Sequence, residues 1–345
     1  MTNNKRNMKH ILIVSRDPWL DFRQMENISG ITNDGHYRFF INDFDCQPDF
    51  VVIKEKALRE PHLFDVPKQR TILLTGEPYS VLAYPKGFCS QFGTVCACQK
   101  EVKASKGTTI LRTPAMLSWF VGAYMDNKGG RSFTMDYNTI KQTTPKKEKT
   151  ISVISSTKAF SKGHVDRLRF IEKLKNHYGD RVDIFGHGFC DFADKWDVLA
   201  PYKYHIVIEN SVSDYYWTEK ISDCYLSNTY PLYHGCTNIH DYFPDNAFTR
   251  ININDFENTV NIIDQTIAAD IYSQRQQELA QSKALVLDNY NIFNMIADVC
   301  RHIEDNESDT EGHTIIRPAS KFFSWHNMFL YTIGRNYYKL TNKLR

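Results

Sequence analysis

The stretch Tyr204–Asp223, YHIVIENSVSDYYWTEKISD, holds the densest group of side chains able to do chemistry. It reads as a strand, a polar aromatic loop and a helix that begins near Thr218, whose hydroxyl suits an N-cap. Lys220 then falls in the first helical turn, where the partial positive charge of the helix end disfavours a cation. Free backbone N–H groups, the helix dipole and an ammonium together suit a phosphate. Such a loop lies beyond the carboxyl end of its strand, where open α/β sheets bind ligands. The alternative is a surface ion pair of Lys220 with Glu219 or Asp223.

Two further segments carry candidates. Placed at about 100° per residue, Leu168, Phe170, Ile171 and Leu174 share one helix face. Arg167 falls near the middle of that face and Arg169 points away. A guanidinium aimed into an apolar stripe is costly unless paired; a diphosphate suits its fork, and so does a buried carboxylate. Thr75-Gly76-Glu77-Pro78 directly follows an apolar run. It sets a carboxylate on a turn at a strand's carboxyl end, a place for a general base or for a plain turn.

These groups need elements to hold them. Short apolar runs at Ile11–Val14, Phe50–Ile53, Thr71–Thr75, Ile151–Ser155, Val182–Phe185, Tyr204–Glu209 and Pro231–Tyr233 predict strands. Val165–His177, Thr218–Leu226, Tyr272–Asp288 and Asn291–Ile303 predict helices. Strands alternating with helices imply βαβ units and parallel sheets. The polar run Lys141–Lys149 (KQTTPKKEK) reads as a linker between two α/β halves.

The 345-residue length favours two domains. A net charge of +2 gives no signal for nucleic acid. Eight scattered cysteines without a CxxC pair read as free thiols in a reducing compartment. Cys96-Ala-Cys98 has no second half with metal-ligand spacing. The apolar run Ile11–Val14 is too short for a signal-peptide core, and no segment approaches the ~20 apolar residues of a membrane span. The expectation is a cytoplasmic protein.

Together the motifs are similar to those of the α-1,3/4-fucosyltransferases, glycosyltransferase family 10. IENSVSDYYWTEK, residues 208–220, resembles the family signature through Glu209, Asn210, Ser211, Tyr216, Thr218, Glu219 and Lys220. YPLYHG at 230–235 and DYFPDNAFTRININDF at 241–256 resemble its downstream segments. Upstream, Arg167 stands as the family's donor-binding arginine does, RVDIFGHG at 181–188 resembles the strand that follows, and TGEP at 75–78 resembles the turn of the proposed base. Ile208 stands where the family has an aromatic residue, and the animal carboxyl-terminal cysteine motif is absent.

The resemblance implies an α/β fold of two facing Rossmann-like domains (GT-B type) with a helical, basic tail. Residues 1–145 would be the acceptor-binding domain, 146–303 the GDP-sugar domain, and 304–345 an acidic linker and basic amphipathic tail. It implies transfer of L-fucose from GDP-fucose to a glycan hydroxyl with inversion. The expected linkage is α-1,3 to N-acetylglucosamine or glucose of a surface polysaccharide or lipopolysaccharide. The alternatives are another GDP-linked sugar or a catalytically silent relative. Glu77 would be the base, and Arg167 and Lys220 the fixed cations that neutralise the leaving diphosphate. Asn210, Tyr216 and Glu219 would orient sugar, ribose or base by hydrogen bonding. No cofactor or metal is expected, since no Asp-x-Asp motif stands in a suitable context.

From Gly312 to Arg345 the chain has no acidic residue. Between Lys321 and Arg345, Phe322, Phe323, Phe329, Leu330, Ile333, Tyr337, Leu340 and Leu344 gather on one helical side. Lys321, Arg335, Lys339 and Lys343 gather on another, a composition suited to an anionic membrane surface. The expectation is peripheral contact of 320–345 with the inner face of the cytoplasmic membrane; the alternative is packing on the protein's own core.

Overall fold

The computed structural model describes residues 8–125, 130–157, 162–306 and 311–323. They form two compact units. Unit 1 runs to Ser118 and resumes at Asn289, and unit 2 comprises Trp119–Asp288.

Unit 1 contains β1 (Lys9–Val14), β2 (Tyr37–Ile41), β3 (Phe50–Lys54), β4 (His62–Phe64), β5 (Thr71–Leu74), β6 (Thr94–Ala97) and β7 (Thr109–Arg112). All but β4 build one parallel sheet in the order β2-β1-β3-β5-β6-β7. The strands read as unbroken apolar runs because both faces are covered. Alternation sends Ile11, Ile13, Phe50, Val52, Ile72 and Leu74 to one face, against Phe293, Ile296 and Cys300 of the helix Ile292–Asn306. Leu12, Val14, Val51, Ile53, Leu73 and Val95 point the other way, against Phe88 and Cys89 of the short α1 (Lys86–Cys89) and Phe92 beyond it. Thr314–Ile316 adds an antiparallel partner to β4.

Unit 2 opens with the hairpin β8 (Ala123–Met125) and β9 (Arg131–Phe133) and the helix α2 (Tyr137–Gln142). Five parallel strands follow: β10 (Lys149–Ile154), β11 (Asp183–Phe185), β12 (Tyr202–Ile208), β13 (Tyr230–His234) and β14 (Thr249–Arg250). Their order is β11-β10-β12-β13-β14, with the longest, β12, in the centre. The helices are α3 (Lys162–Tyr178), α4 (Lys195–Leu199), α5 (Glu219–Leu226), α6 (Phe256–Ala268), α7 (Ile271–Gln274) and α8 (Gln276–Asp288). Helix α5 packs on β12, β13 and α8. Each unit is thus a Rossmann-like parallel α/β layer structure, as expected.

The expected domain limits differ from those observed. The boundary near 145 falls inside unit 2, because residues 119–147 are tied to it. Asp223 accepts from the Phe120 and Val121 N–H groups at 2.9 and 3.2 Å. Asp194 accepts from Gly122 N and Thr134 Oγ1 at 2.9 and 2.8 Å. The supposed linker is also no linker. Lys141 and Gln142 end α2, and the Lys147 ammonium is buried against Ala200 O, Ser227 O and Thr229 Oγ1 at 2.8–2.9 Å. Burial pulls its pKa down to about 7. The expected helix Tyr272–Asp288 is broken at Arg275 into α7 and α8.

At the other limit, the helix Ile292–Asn306 belongs to unit 1 because its apolar stripe completes that core. Glu304, read as the start of an acidic linker, is held by the Tyr37 hydroxyl at 2.6 Å and lies 3.1 Å from His36 Nε2. The basic amphipathic stretch beyond Phe323 lies outside the described residues.

Phe293 is fully buried between the returning helix and the sheet. Replacing it by alanine is expected to destabilise unit 1 by about 3–5 kcal/mol in urea denaturation. A loss under ~1 kcal/mol would show that the returning helix is not part of the core.

Candidate functional site

In unit 2 the sheet places three loops at the carboxyl ends of neighbouring strands: Ser155–Ser156 after β10, Glu209–Asn210 after β12 and Gly235–Cys236 after β13. Arg167, one turn into α3, is buried with Phe170, Ile171 and Leu174, while Arg169 is exposed. Its Nη1 donates to Asn210 Oδ1 at 3.1 Å, and its Nη2 to Ser156 O and Oγ at 3.3 and 3.4 Å. Every acceptor is neutral. Among the described residues no carboxylate pairs with this guanidinium, and its buried Nε has no partner. Burial alone lowers its pKa from the ordinary arginine value.

Lys220 lies in the first turn of α5 as the sequence predicts, with Thr218 as N-cap. Its nearest carboxylate is Glu209, which was not considered; of the two that were, Glu219 is also within ion-pair reach and Asp223 is not a partner. The ammonium sits 3.2 Å from Glu209 Oε2 and 3.0 Å from Thr218 Oγ1, with Glu219 Oε1 at 3.8 Å. The Glu209 carboxylate is wholly buried and also accepts from Thr218 N at 2.9 Å and Thr218 Oγ1 at 2.8 Å. Burial pushes its pKa up, against the pull of Lys220. Asp223 belongs instead to Lys195, 2.7 Å away, and Lys195 also reaches Glu219 at 3.4 Å.

Glu219 is therefore enclosed by two cations. Burial works to raise its pKa, but Lys220 and Lys195 outweigh it and hold it at about 2. Lys195 shows the mirror effect: burial works downward, yet Asp223 and Glu219 keep its pKa above the ordinary lysine value. Tyr216 is almost fully enclosed at 1 % exposure, in a loop whose Tyr215 has φ +64°. Of the expected group, Arg167 and Asn210 touch, and so do Lys220 and Glu219. Glu209 and Asn210, adjacent in the chain, hold the two cations. Lys195 and Ser156 were not picked out by the sequence reading; Glu209 stood there only inside a motif, and Asp223 only as a possible partner of Lys220.

Glu77 lies in unit 1. The Thr75–Pro78 turn leaves β5 at its carboxyl end, and Glu77 is half-buried. The turn is pinned by Gln99, which donates to Glu77 O and, at 2.7 Å, to Leu82 O, and by Thr75 Oγ1, which accepts from Cys98 N at 3.1 Å. Glu55 follows β3 beside this turn, with φ +55° and its N–H on Leu74 O at 2.8 Å. A Cβ added to Gly76 would lie 2.3 Å from Glu55 Oε1, so glycine is required for the carboxyl to sit there. Burial raises the Glu55 pKa. Asp17, after β1, pairs with the buried Lys54 and accepts from Ser118 Oγ at 3.0 Å.

Residues 144–313 match the family model "Glycosyltransferase family 10 (fucosyltransferase) C-term". They belong to glycosyltransferase family 10. The matched stretch contains Arg167, Asn210, Tyr216, Glu219 and Lys220 and stops short of Glu77. The chain is also similar to GDP-fucose protein O-fucosyltransferase 3 of Danio rerio, 41% identical over 97 residues, 24% of this chain and 20% of that protein. It is 37% identical over 71 residues to alpha-(1,3)-fucosyltransferase FucT of Helicobacter pylori, 21% of this chain and 14% of that protein. The matches thus span a fifth or less of those relatives. A solved α1,3-fucosyltransferase structure shares the fold, with a TM-score of 0.51 at 15% identity over 89% of this chain and 93% of the other. Among the described residues all eight cysteines are free and no three metal-ligating side chains gather, and no helix is long and apolar enough to cross a membrane.

Glu219 supplies a stability prediction with a definite sign. Its folded pKa is depressed, so its contribution is complete above its unfolded value of about 4.3 and is lost as pH falls towards about 2. Glu219→Gln is expected to cost about 3 kcal/mol at pH 7 in urea denaturation, and clearly less at pH 3. An equal cost at both pH values would remove the ion-pair account.

Proposed function

We propose that the protein is a fucosyltransferase that moves L-fucose from GDP-fucose to a glycan hydroxyl. The observation that carries the reading is the buried Arg167 guanidinium, fixed by neutral acceptors and without a counter-ion among the described residues. A buried, uncompensated cation is costly, and an anion that reaches it recovers that cost. The diphosphate of a nucleotide sugar carries that charge and fits the guanidinium fork. The family-10 stretch surrounds Arg167, and one similar protein is named for GDP-fucose.

In this reading Arg167 and Lys220 take up the charge on the departing diphosphate as fixed donors. Asn210, Tyr216 and Glu219 orient the donor. Glu77 takes the acceptor proton, the acceptor oxygen bonds to the fucose carbon with inversion, and GDP leaves with the old bonding pair. No metal or cofactor has a role in this scheme. The proposed acceptor is N-acetylglucosamine or glucose of a surface polysaccharide or lipopolysaccharide, joined α-1,3. The stretch beyond Phe323 would bring the enzyme to lipid-linked acceptors at the inner face of the cytoplasmic membrane.

Incubation with a panel of nucleotide sugars and acceptor glycans, read by product mass and linkage, tests the reading. Transfer from GDP-fucose is expected; transfer only from another GDP-linked sugar, or none from any donor, overturns it. In calorimetry, Arg167→Ala and Lys220→Ala should each weaken GDP binding by about 1.5–3 kcal/mol, and unchanged affinity in both removes the diphosphate site. Glu77→Gln should keep donor binding and lose ~10²–10⁴ in rate; near-normal turnover would pass the role to Glu55. Flotation with anionic vesicles should carry the full chain and leave behind a chain ending at Phe323. Equal flotation of both would sink the membrane contact.

A further inference from the structure

Glu209 has no role in the chemistry above, yet it is one of the two fully enclosed carboxylates of the site, with Asp223. Its side chain has no exposed surface. A Cβ on Gly235 would fall 2.5 Å from its Cγ, so the turn after β13 closes directly over it. The groups that face it are few. Lys220, Glu219 and Cys224 come from α5, Tyr233 from β13 and Cys236 from the turn that follows. Burial pushes the Cys224 and Cys236 thiols and the Tyr233 hydroxyl upward, so they stay neutral near pH 7. Lys220 is the cation that compensates Glu209, at 3.2 Å.

The same ammonium is required by the diphosphate in the function proposed above, on which this inference rests. It is partly open to solvent, at 27% exposure, whereas Glu209 cannot follow it. We propose that Glu209 is the resident counter-ion of Lys220, and that donor binding draws the ammonium onto the diphosphate while Glu209 takes a proton from solvent. The proton comes from the buffer and ends on Glu209 Oε2, the oxygen that Lys220 leaves. The Thr218 hydroxyl can then turn to accept from the new carboxyl O–H, since it now donates to the carboxylate at 2.8 Å. A buried carboxylate that loses its cation neutralises rather than remain charged. Glu209 thus acts through Lys220 as a positioning residue: it stores the ammonium in place while the site is empty. Donor affinity should therefore fall as pH rises, because the proton becomes harder to obtain.

The test is calorimetric titration of the full-length protein with GDP at pH 8, in two buffers of different ionisation enthalpy. At that pH the terminal phosphate of GDP, with a pKa of about 6, is already ionised and releases little proton of its own. Uptake of about one proton per GDP bound is expected, and Glu209→Gln should abolish it. Should that variant fail to fold, difference infrared spectroscopy of the wild type reads the same event, as a protonated-carboxyl band that appears on GDP addition. GDP binding without proton uptake or such a band overturns the inference and leaves the donor reading intact. Uptake that persists in Glu209→Gln also overturns it, since the proton then lands elsewhere. No GDP binding at all overturns both.

Discussion

The Glu209–Lys220 pair constrains everything around the start of α5. A carboxylate with no exposed surface must be compensated within hydrogen-bond reach. Thr218 commits its N–H and its hydroxyl to Glu209, so its own N-cap bond to Lys220 N is long at 3.3 Å. Lys220, set against the helix dipole, stays because Glu209 and Glu219 flank it. Glu219 in turn needs a second cation, which α4 supplies as Lys195, and Lys195 is balanced by Asp223. Asp223 spends its other oxygen on the Phe120 and Val121 N–H groups. Three carboxylates and two ammoniums thereby join the end of β12, the start of α5, the start of α4 and the first segment of unit 2. The boundary between the units at residue 118 follows from the same chain of charges.

Unit 1 solves a similar problem with different means. Its parallel strands are covered on both faces, so the polar groups that begin each connection cluster at the carboxyl ends. Lys54 is buried and satisfied by Asp17, and Glu55 is turned into a left-handed conformation directly after it. That strain lets the Glu55 carboxyl reach over Gly76, next to Glu77. The Glu77 backbone carbonyl is meanwhile fixed by Gln99 from the connection after β6. A carboxylate on such a turn is held without being enclosed, which is what a group that exchanges protons with a ligand requires.

How far the sequence revealed this depended on the kind of signal. Strands that are apolar on both faces were legible as runs, and the stripe of α3 placed Arg167 inward and Arg169 outward, where they are found. Lys220 was legible as a cation at the wrong end of a helix. Its partner was not, because Glu209 lies eleven positions away and its burial depends on the Gly235 turn from another strand. Lys147 shows the opposite failure. A polar, proline-containing run reads as a linker, yet the three oxygens that bury this lysine come from residues more than fifty positions distant. The returning helix at 292–306 misled for a related reason: its stripe was readable, but which sheet it covers is a long-range choice. Short strands such as β4, β8 and β14 carry too few residues for any period to register.

The two cations of the site are not equivalent, and the difference follows from their partners. Arg167 is held by neutral acceptors, so an arriving anion meets a guanidinium whose charge is unspent and whose fork is already oriented. Lys220 begins in an ion pair, so its attraction for the same anion is offset by the cost of parting from a carboxylate that cannot be rehydrated. On the proposed donor reading, Arg167 therefore supplies the larger share of the net affinity for the diphosphate, and Lys220 less than its charge implies. What Lys220 gains from the arrangement is definition: the ion pairs with Glu209 and Glu219 hold its flexible side chain at the start of α5, beside the position proposed for the diphosphate. The conformational cost of ordering it falls on folding rather than on binding.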